Sequence, residues 1–132
     1  MSLFIPSSLI VKYLGFNTAS GVSLSATASP GTIIVSQGIY ASLNTLYVIV
    51  VGSVGLYNSG SSAVNETIQV FVDSNYTSVG ITTVPASGYA QATVNYVFSG
   101  LALGSHTVGI AGYGGSLTAE YAEIVVLVVG YP

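Results

Sequence analysis

The stretch Tyr89-Ala90-Gln91-Ala92-Thr93-Val94-Asn95-Tyr96-Val97-Phe98 decides the fold class: its even positions are apolar or aromatic, and Gln91, Thr93 and Asn95 alternate with them. A period of two puts successive side chains on opposite faces of an extended strand. Toward the N-terminus, Ile68, Val70 and Val72 share one face and Thr67, Gln69 and Asp73 the other, with Phe71 the exception. Toward the C-terminus, His106, Val108 and Ile110 repeat the pattern. Turn-forming clusters lie between these runs: Asn58-Ser59-Gly60-Ser61-Ser62, Pro85-Ala86-Ser87-Gly88, Ser99-Gly100 and Gly112-Tyr113-Gly114-Gly115. Short strands punctuated at intervals of roughly ten residues predict an all-β sandwich or barrel.

Two further runs, Leu46 to Val51 and Ile124 to Val129, are apolar at every position. They read as central strands with both faces covered. One side is expected to meet a second sheet. The other side meets either an N-terminal arm or another subunit, because exposed apolar patches of more than a few hundred Å² mark contacts.

The rest of the composition excludes most chemistry. Of 132 residues only Lys12, Glu66, Asp73, Glu120 and Glu123 are formally charged, with His106 the single imidazole, and cysteine and tryptophan are absent. An ordinary soluble domain is about one quarter charged. Here the surface must be hydroxyls, amides and glycine, which do not titrate in acid, so folding is expected to depend little on carboxylate ionisation. The chain therefore reads as acid-stable and extracellular in setting. With one histidine, a catalytic triad has a single candidate base, and His106 on the inward parity reads as a hydrogen-bonded corner residue. Four scattered carboxylates supply neither a metal site nor a cofactor site. Glu120 and Glu123, three apart on a strand, are expected on opposite faces, which rules out a glycosidase pair; they read as solubilising residues flanking the Ile124 run. The Gly112 to Gly115 loop lacks a phosphate-binding lysine. A net charge of −3 with no arginine disfavours nucleic acid as a partner. No enzyme is expected.

The first twelve residues, MSLFIPSSLIVK, place their lysine after the apolar run, the reverse of a secretory signal. The expectation is a retained N-terminal arm. The apolar runs are about half or less of the roughly 20 residues a transmembrane helix needs, so no transmembrane segment is expected.

From about Leu43 to Val129 the chain resembles the immunoglobulin-like adhesion modules of archaeal and bacterial surface proteins, the CARDB-type or fibronectin-like domains. The resemblance is carried by Leu56-Tyr57-Asn58-Ser59-Gly60, by Ile68 to Asp73, by Val84-Pro85-Ala86-Ser87-Gly88 and by Leu101-Ala102-Leu103-Gly104-Ser105-His106-Thr107-Val108. In the last of these, Leu103 stands where that family usually has proline. The resemblance implies an immunoglobulin-like antiparallel β-sandwich over residues 41–132. Residues 1–40 then form an N-terminal extension, an arm with one or two extra strands, Val22 to Ala28 and Thr32 to Val35, broken at Ser29-Pro30-Gly31.

Asn65-Glu66-Thr67 and Asn75-Tyr76-Thr77 match N-x-[ST], which makes Asn65 and Asn75 candidate glycosylation sites. Of the ten tyrosines, Tyr113 in a glycine loop and Tyr131 near the C-terminus are the candidate interface residues. The lack of cysteine, the single methionine and the nearly uncharged surface resemble structural proteins of viruses of hyperthermophilic, acidophilic archaea. That resemblance implies a virion turret, nozzle or tail component working as a homo-oligomer with other virion proteins. Surface filaments of the same hosts look alike, so a secreted pilus or cell-surface adhesion subunit is the alternative. A carbohydrate-binding module is the further alternative, with tyrosines as its platform.

Overall fold

The computed structural model describes residues 8–132. It contains eight strands: β1 (Ile10–Leu24), β2 (Thr32–Ala41), β3 (Thr45–Asn58), β4 (Val64–Val72), β5 (Asn75–Val84), β6 (Gly88–Ser99), β7 (Gly104–Tyr113) and β8 (Leu117–Gly130). Among the described residues there is no helix. The strands form two four-stranded sheets, β1-β8-β3-β6 and β2-β7-β4-β5, and every pairing is antiparallel.

The all-β antiparallel sandwich expected from the alternation is the fold observed. Its connectivity is that of a jelly roll. Only β4 and β5 follow one another within a sheet; every other connection crosses to the opposite sheet. An immunoglobulin module groups its strands differently, with the first, second, fourth and fifth in one sheet. The expected immunoglobulin-like order is corrected on this point. Local turn signals read hairpin by hairpin cannot show it, because the pairing that distinguishes the two folds joins the chain's ends: Ile10 faces Gly130 and Leu24 faces Leu117.

That pairing also corrects the division at residue 40. Residues 10–24 are an edge strand on β8, and β2 is an edge strand on β7. Ile34, Val35 and Ile39 are buried in the same core as Val50, Val70, Ile110 and Val126. The expected strand from Val22 to Ala28 ends at Leu24, and the expected strand from Thr32 to Val35 runs on to Ala41. No seam separates an arm from a sandwich in the described residues.

The core fills the space between the sheets with β-branched and small side chains. On β8, Ala122, Ile124, Val126 and Val128 point inward, and on β3 Val48, Val50, Val54 and Leu56 do so. Phe71, the exception to its strand's alternation, points outward and is still buried, stacked on Tyr76 with ring centroids 4.8 Å apart. Beside it Gln69 accepts from Gly31 N–H at 2.9 Å and donates to Ser29 Oγ at 3.0 Å, so the β1–β2 loop is pinned over that face. The Asn58 turn is closed by its own side chain. Asn58 Oδ1 accepts from Gly60 N–H at 2.9 Å, and Nδ2 donates to Ser62 O at 2.8 Å.

Candidate functional site

The doubly apolar runs became β3 and β8, the two central strands of the first sheet. Their inner faces are core. Their outer faces lie in cross-strand rows that can be read from the register. One row is Val11, Val129 and Tyr47; the next is Leu14, Leu127, Ile49 and Val97; the third is Phe16, Val125 and Val51, ending at Asn95. Ten apolar side chains thus share one face, and Leu14, Phe16 and Val97 are each more than half exposed. Beyond the third row the face turns polar at Thr18, Glu123, Ser53 and Thr93. The arm expected to cover this face is instead built into the sheets, as far as the described residues go. The first seven residues lie outside them.

Sequence reading located the central half of this patch. It missed Val11, Leu14 and Phe16, which the run Ile10 to Phe16 carried in plain view. A β-bulge between Val11 and Tyr13 shifts the alternation there, so a strict period of two does not fit.

A second feature lies at the end of the sandwich where β1 begins. A cleft of about 680 Å³ is lined by Lys12, Tyr40, Ser42, Thr45, Asp73, Ser105, His106 and Thr107, among others. It gathers the only lysine and the only histidine of the chain with one of its four acids. Lys12 Nζ donates to Tyr131 O at 2.9 Å and to Ser42 Oγ at 3.1 Å, tying β1 to the C-terminal segment. His106 bridges two loops: its Nδ1 is 2.7 Å from Asp73 Oδ2 and its Nε2 2.7 Å from Ala102 O. A carbonyl oxygen and a carboxylate both accept, so both ring nitrogens donate and the ring is the imidazolium. The Ala102 carbonyl, and then the Asp73 carboxylate, hold its pKa above the ordinary 6.5. In turn the His106 bond and the Thr107 N–H, 2.9 Å from Asp73 Oδ1, hold the Asp73 carboxyl below its ordinary value. This is the hydrogen-bonded corner role expected of His106. Among the described residues no three histidine, aspartate or glutamate side chains group as metal ligands.

The remaining acids have distinct surroundings. Glu66 points inward and is fully buried; burial pushes its carboxyl up to about 7 against the Gly115 N–H bond, which lowers it. Glu123 accepts from Tyr121 Oη at 2.6 Å and from Ser53 Oγ at 3.3 Å on the outer face. Glu120 is left out of the ladder between Ala119 and Tyr121, an irregularity that places both Ala119 and Ala122 inward. Glu120 and Glu123 are therefore both outside the core, and the expectation of opposite faces on a regular strand is corrected.

Asn65 and Asn75 stand at the two ends of the β4–β5 hairpin, both exposed, with Asn65 Oδ1 accepting from Thr83 Oγ1 at 2.7 Å. Tyr113 ends β7 and is half-buried; Tyr131 follows β8 and is exposed. The two tyrosines lie at opposite ends of the sandwich, so the fold does not bring them together.

No family model matches the sequence, and no curated protein matches it. Among solved structures, the chain is similar to a chain of the T13 particle of infectious bursal disease virus (16 % identity, TM-score 0.52), covering 89 % of this chain and 32 % of that one. A structure of the Gx strain of the same virus gives 15 % identity and a TM-score of 0.53, with 90 % and 36 % covered. The globular domain of zebrafish complement 1qA gives 12 % identity and a TM-score of 0.52, with 89 % and 97 % covered. The chain spans about a third of the viral chains it matches and nearly all of the zebrafish domain. The likeness is one of fold.

Proposed function

We propose that this chain is a non-enzymatic structural subunit of a virus particle, of the archaeal kind its composition resembles, placed as a turret, nozzle or tail component. The observation that carries the reading is the apolar outer face of the β1-β8-β3-β6 sheet, which no other described residue covers. In a chain with five formal charges, such a face is a contact surface before it is anything else. The likeness to chains of a viral particle supports the same reading at the level of fold. Its partners are further copies of itself and other virion proteins, and its place is the virion surface. A secreted archaeal filament or adhesion subunit shares the self-association and differs in its N-terminus. Processing before about Ser20 would remove most of β1, which favours the virion reading.

Negative-stain electron microscopy of the full chain at pH 3 and pH 7 tests the proposal. Rings, fibres or uniform oligomers are expected at both; uniform small monomers at both would overturn it. Deleting residues 1–40 is not an arm deletion, since it removes β1 and β2 and opens the core.

A carbohydrate-binding role has its own observation, the hydroxyl-rich cleft around Lys12, Tyr40 and Thr45. Glycan-array binding abolished by Tyr40→Ala would establish it. Asn65 and Asn75 are proposed as glycosylation sites on the exposed hairpin, and a glycan mass on a peptide containing either one, from protein made in its native host, is the expected result. Tyr113 and Tyr131, apart as they are, are proposed as contacts to two different neighbours.

A further inference from the structure

We infer that the outer face of the β1-β8-β3-β6 sheet binds the same face of a second copy, packed sheet on sheet about a two-fold axis that runs across the strands. The inference rests on the self-association proposed above and names its surface and geometry.

Three observations select this occupant. The first is size. Four strands about 4.8 Å apart and three apolar rows about 7 Å apart make a patch roughly 20 Å on a side. Two such faces would bury on the order of 1,000 Å², the lower bound for a specific interface. The second is chemistry. Within the three rows the side chains are apolar except Asn95 and Ser99 at the β6 edge, neither of them charged, so the face offers a charged partner nothing to pair with, while an identical face matches it. The third is the placement of charge at one end only. Glu123 lies just beyond the third row, with Glu120 further along the same strand, whereas the opposite end carries no acid on this face, and Lys12 there turns into the cleft, held by Tyr131 O and Ser42 Oγ.

The last point fixes the axis. A two-fold along the strands would set Glu123 against its own copy. A two-fold across the strands reverses the strand direction, so that each Glu123 end meets the partner's acid-free end, the row of Val11, Val129 and Tyr47, and the two Glu123 carboxylates stay apart. The row of Leu14, Leu127, Ile49 and Val97 then lies on the axis. Two sheets packed in this way stand about 10 Å apart with their strands roughly aligned.

The full chain is measured by analytical ultracentrifugation, with Leu14→Glu and Val97→Glu at the two edges of the patch. Ile81→Glu, exposed on the other sheet, is the control. A dimer is expected whose dissociation constant rises about a hundredfold in each edge variant, since either puts an unpaired charge into an apolar contact, and stays unchanged in the control. Circular dichroism confirms that each variant folds. A wild-type chain that stays monomeric overturns both this inference and the self-association behind it. An oligomer indifferent to both edge variants overturns the inference alone. Direction is read separately, and without loading the contact with charge. The chain has no cysteine, so Asn95→Cys and Ser99→Cys, both exposed on β6, can be joined by a short bismaleimide. Cross-linking is expected in the mixture and not in either variant alone; a mixture that does not cross-link, as when a two-fold along the strands sets β6 against the partner's β1, overturns the axis, and so does cross-linking of either variant alone.

Discussion

Glu66 is the residue whose chemistry departs furthest from its type. It is fully buried, its Oε1 accepts from Gly115 N–H at 3.1 Å, and its Oε2 has no partner. A buried carboxyl in that state prefers to keep its proton. With its pKa raised from 4.5 to about 7, it contributes stability that is whole below pH 4.5 and lost as pH rises through about 7. Replacing it with the neutral amide, Glu66→Gln, is expected to leave stability near pH 4 little changed and to raise it by up to about 3 kcal/mol at pH 8. Thermal melts of both proteins at the two pH values check this; an equal offset at both would refute the assignment. His106 carries the same sign by another route. Its raised pKa means that the clamp between Asp73 and Ala102 is complete below pH 6.5 and released as pH climbs through the raised value. An NMR titration is expected to place His106 above 6.5 in the folded protein, and Asp73→Asn should lower it. A value at or below 6.5 would show that one of the two bonds is not made by a donating nitrogen.

At the level of strands, close approach between the layers and ladders is bought by glycine at a few positions, and Gly109 on β7 shows the constraint most plainly. A Cβ there would lie 2.5 Å from the Phe71 ring and 2.6 Å from the Val35 carbonyl oxygen. The ring has little room, being buried against Tyr76, and the carbonyl belongs to the neighbouring strand. Gly109→Ala is therefore expected to cost about 2 to 4 kcal/mol as an overpacked site, read as a lowered midpoint in urea. An unchanged midpoint would mean that β2 or β4 can slide. Strands were also what the sequence displayed best. Alternation from Tyr89 to Phe98 and from Ile68 to Val72, and the doubly apolar runs at Leu46 and Ile124, each correspond to an observed strand. What alternation cannot carry is which strand pairs with which. The pairing of β1 with β8 joins residues 93 to 120 positions apart, and no local signal in Ile10 to Leu24 points to it. The cleft was illegible for the same reason: Lys12, Asp73 and His106 converge only because β1, the β4–β5 turn and β7 meet at one end. His106 alone was readable as a corner residue, since its parity with Val108 sufficed.

Over the whole molecule the titrating groups add to one direction. Glu66 and His106 both have raised pKa values, so each favours the folded state in acid and loses that contribution toward neutral and alkaline pH. Asp73 opposes them. Its lowered pKa gives stability that is present above its ordinary 3.8 and lost as pH falls through the lowered value. One exposed aspartate is a small handle for acid denaturation, which in ordinary proteins draws on many paired carboxylates. The remaining surface of hydroxyls, amides and glycine does not titrate at all in this range. The melting temperature is therefore expected to be highest near pH 4, to fall only slightly to pH 3, and to be lower at pH 8 than at pH 3. Calorimetry from pH 2 to pH 9 reads the full profile in one series. The ordinary shape, with a maximum near neutrality and steep loss below pH 4, would mean that carboxylates outside this account stabilise the fold. In the doubly substituted chain, Glu66→Gln with His106→Asn, the decline from pH 4 to pH 8 should largely vanish, because no other group with a resolved shift changes its charge in that interval.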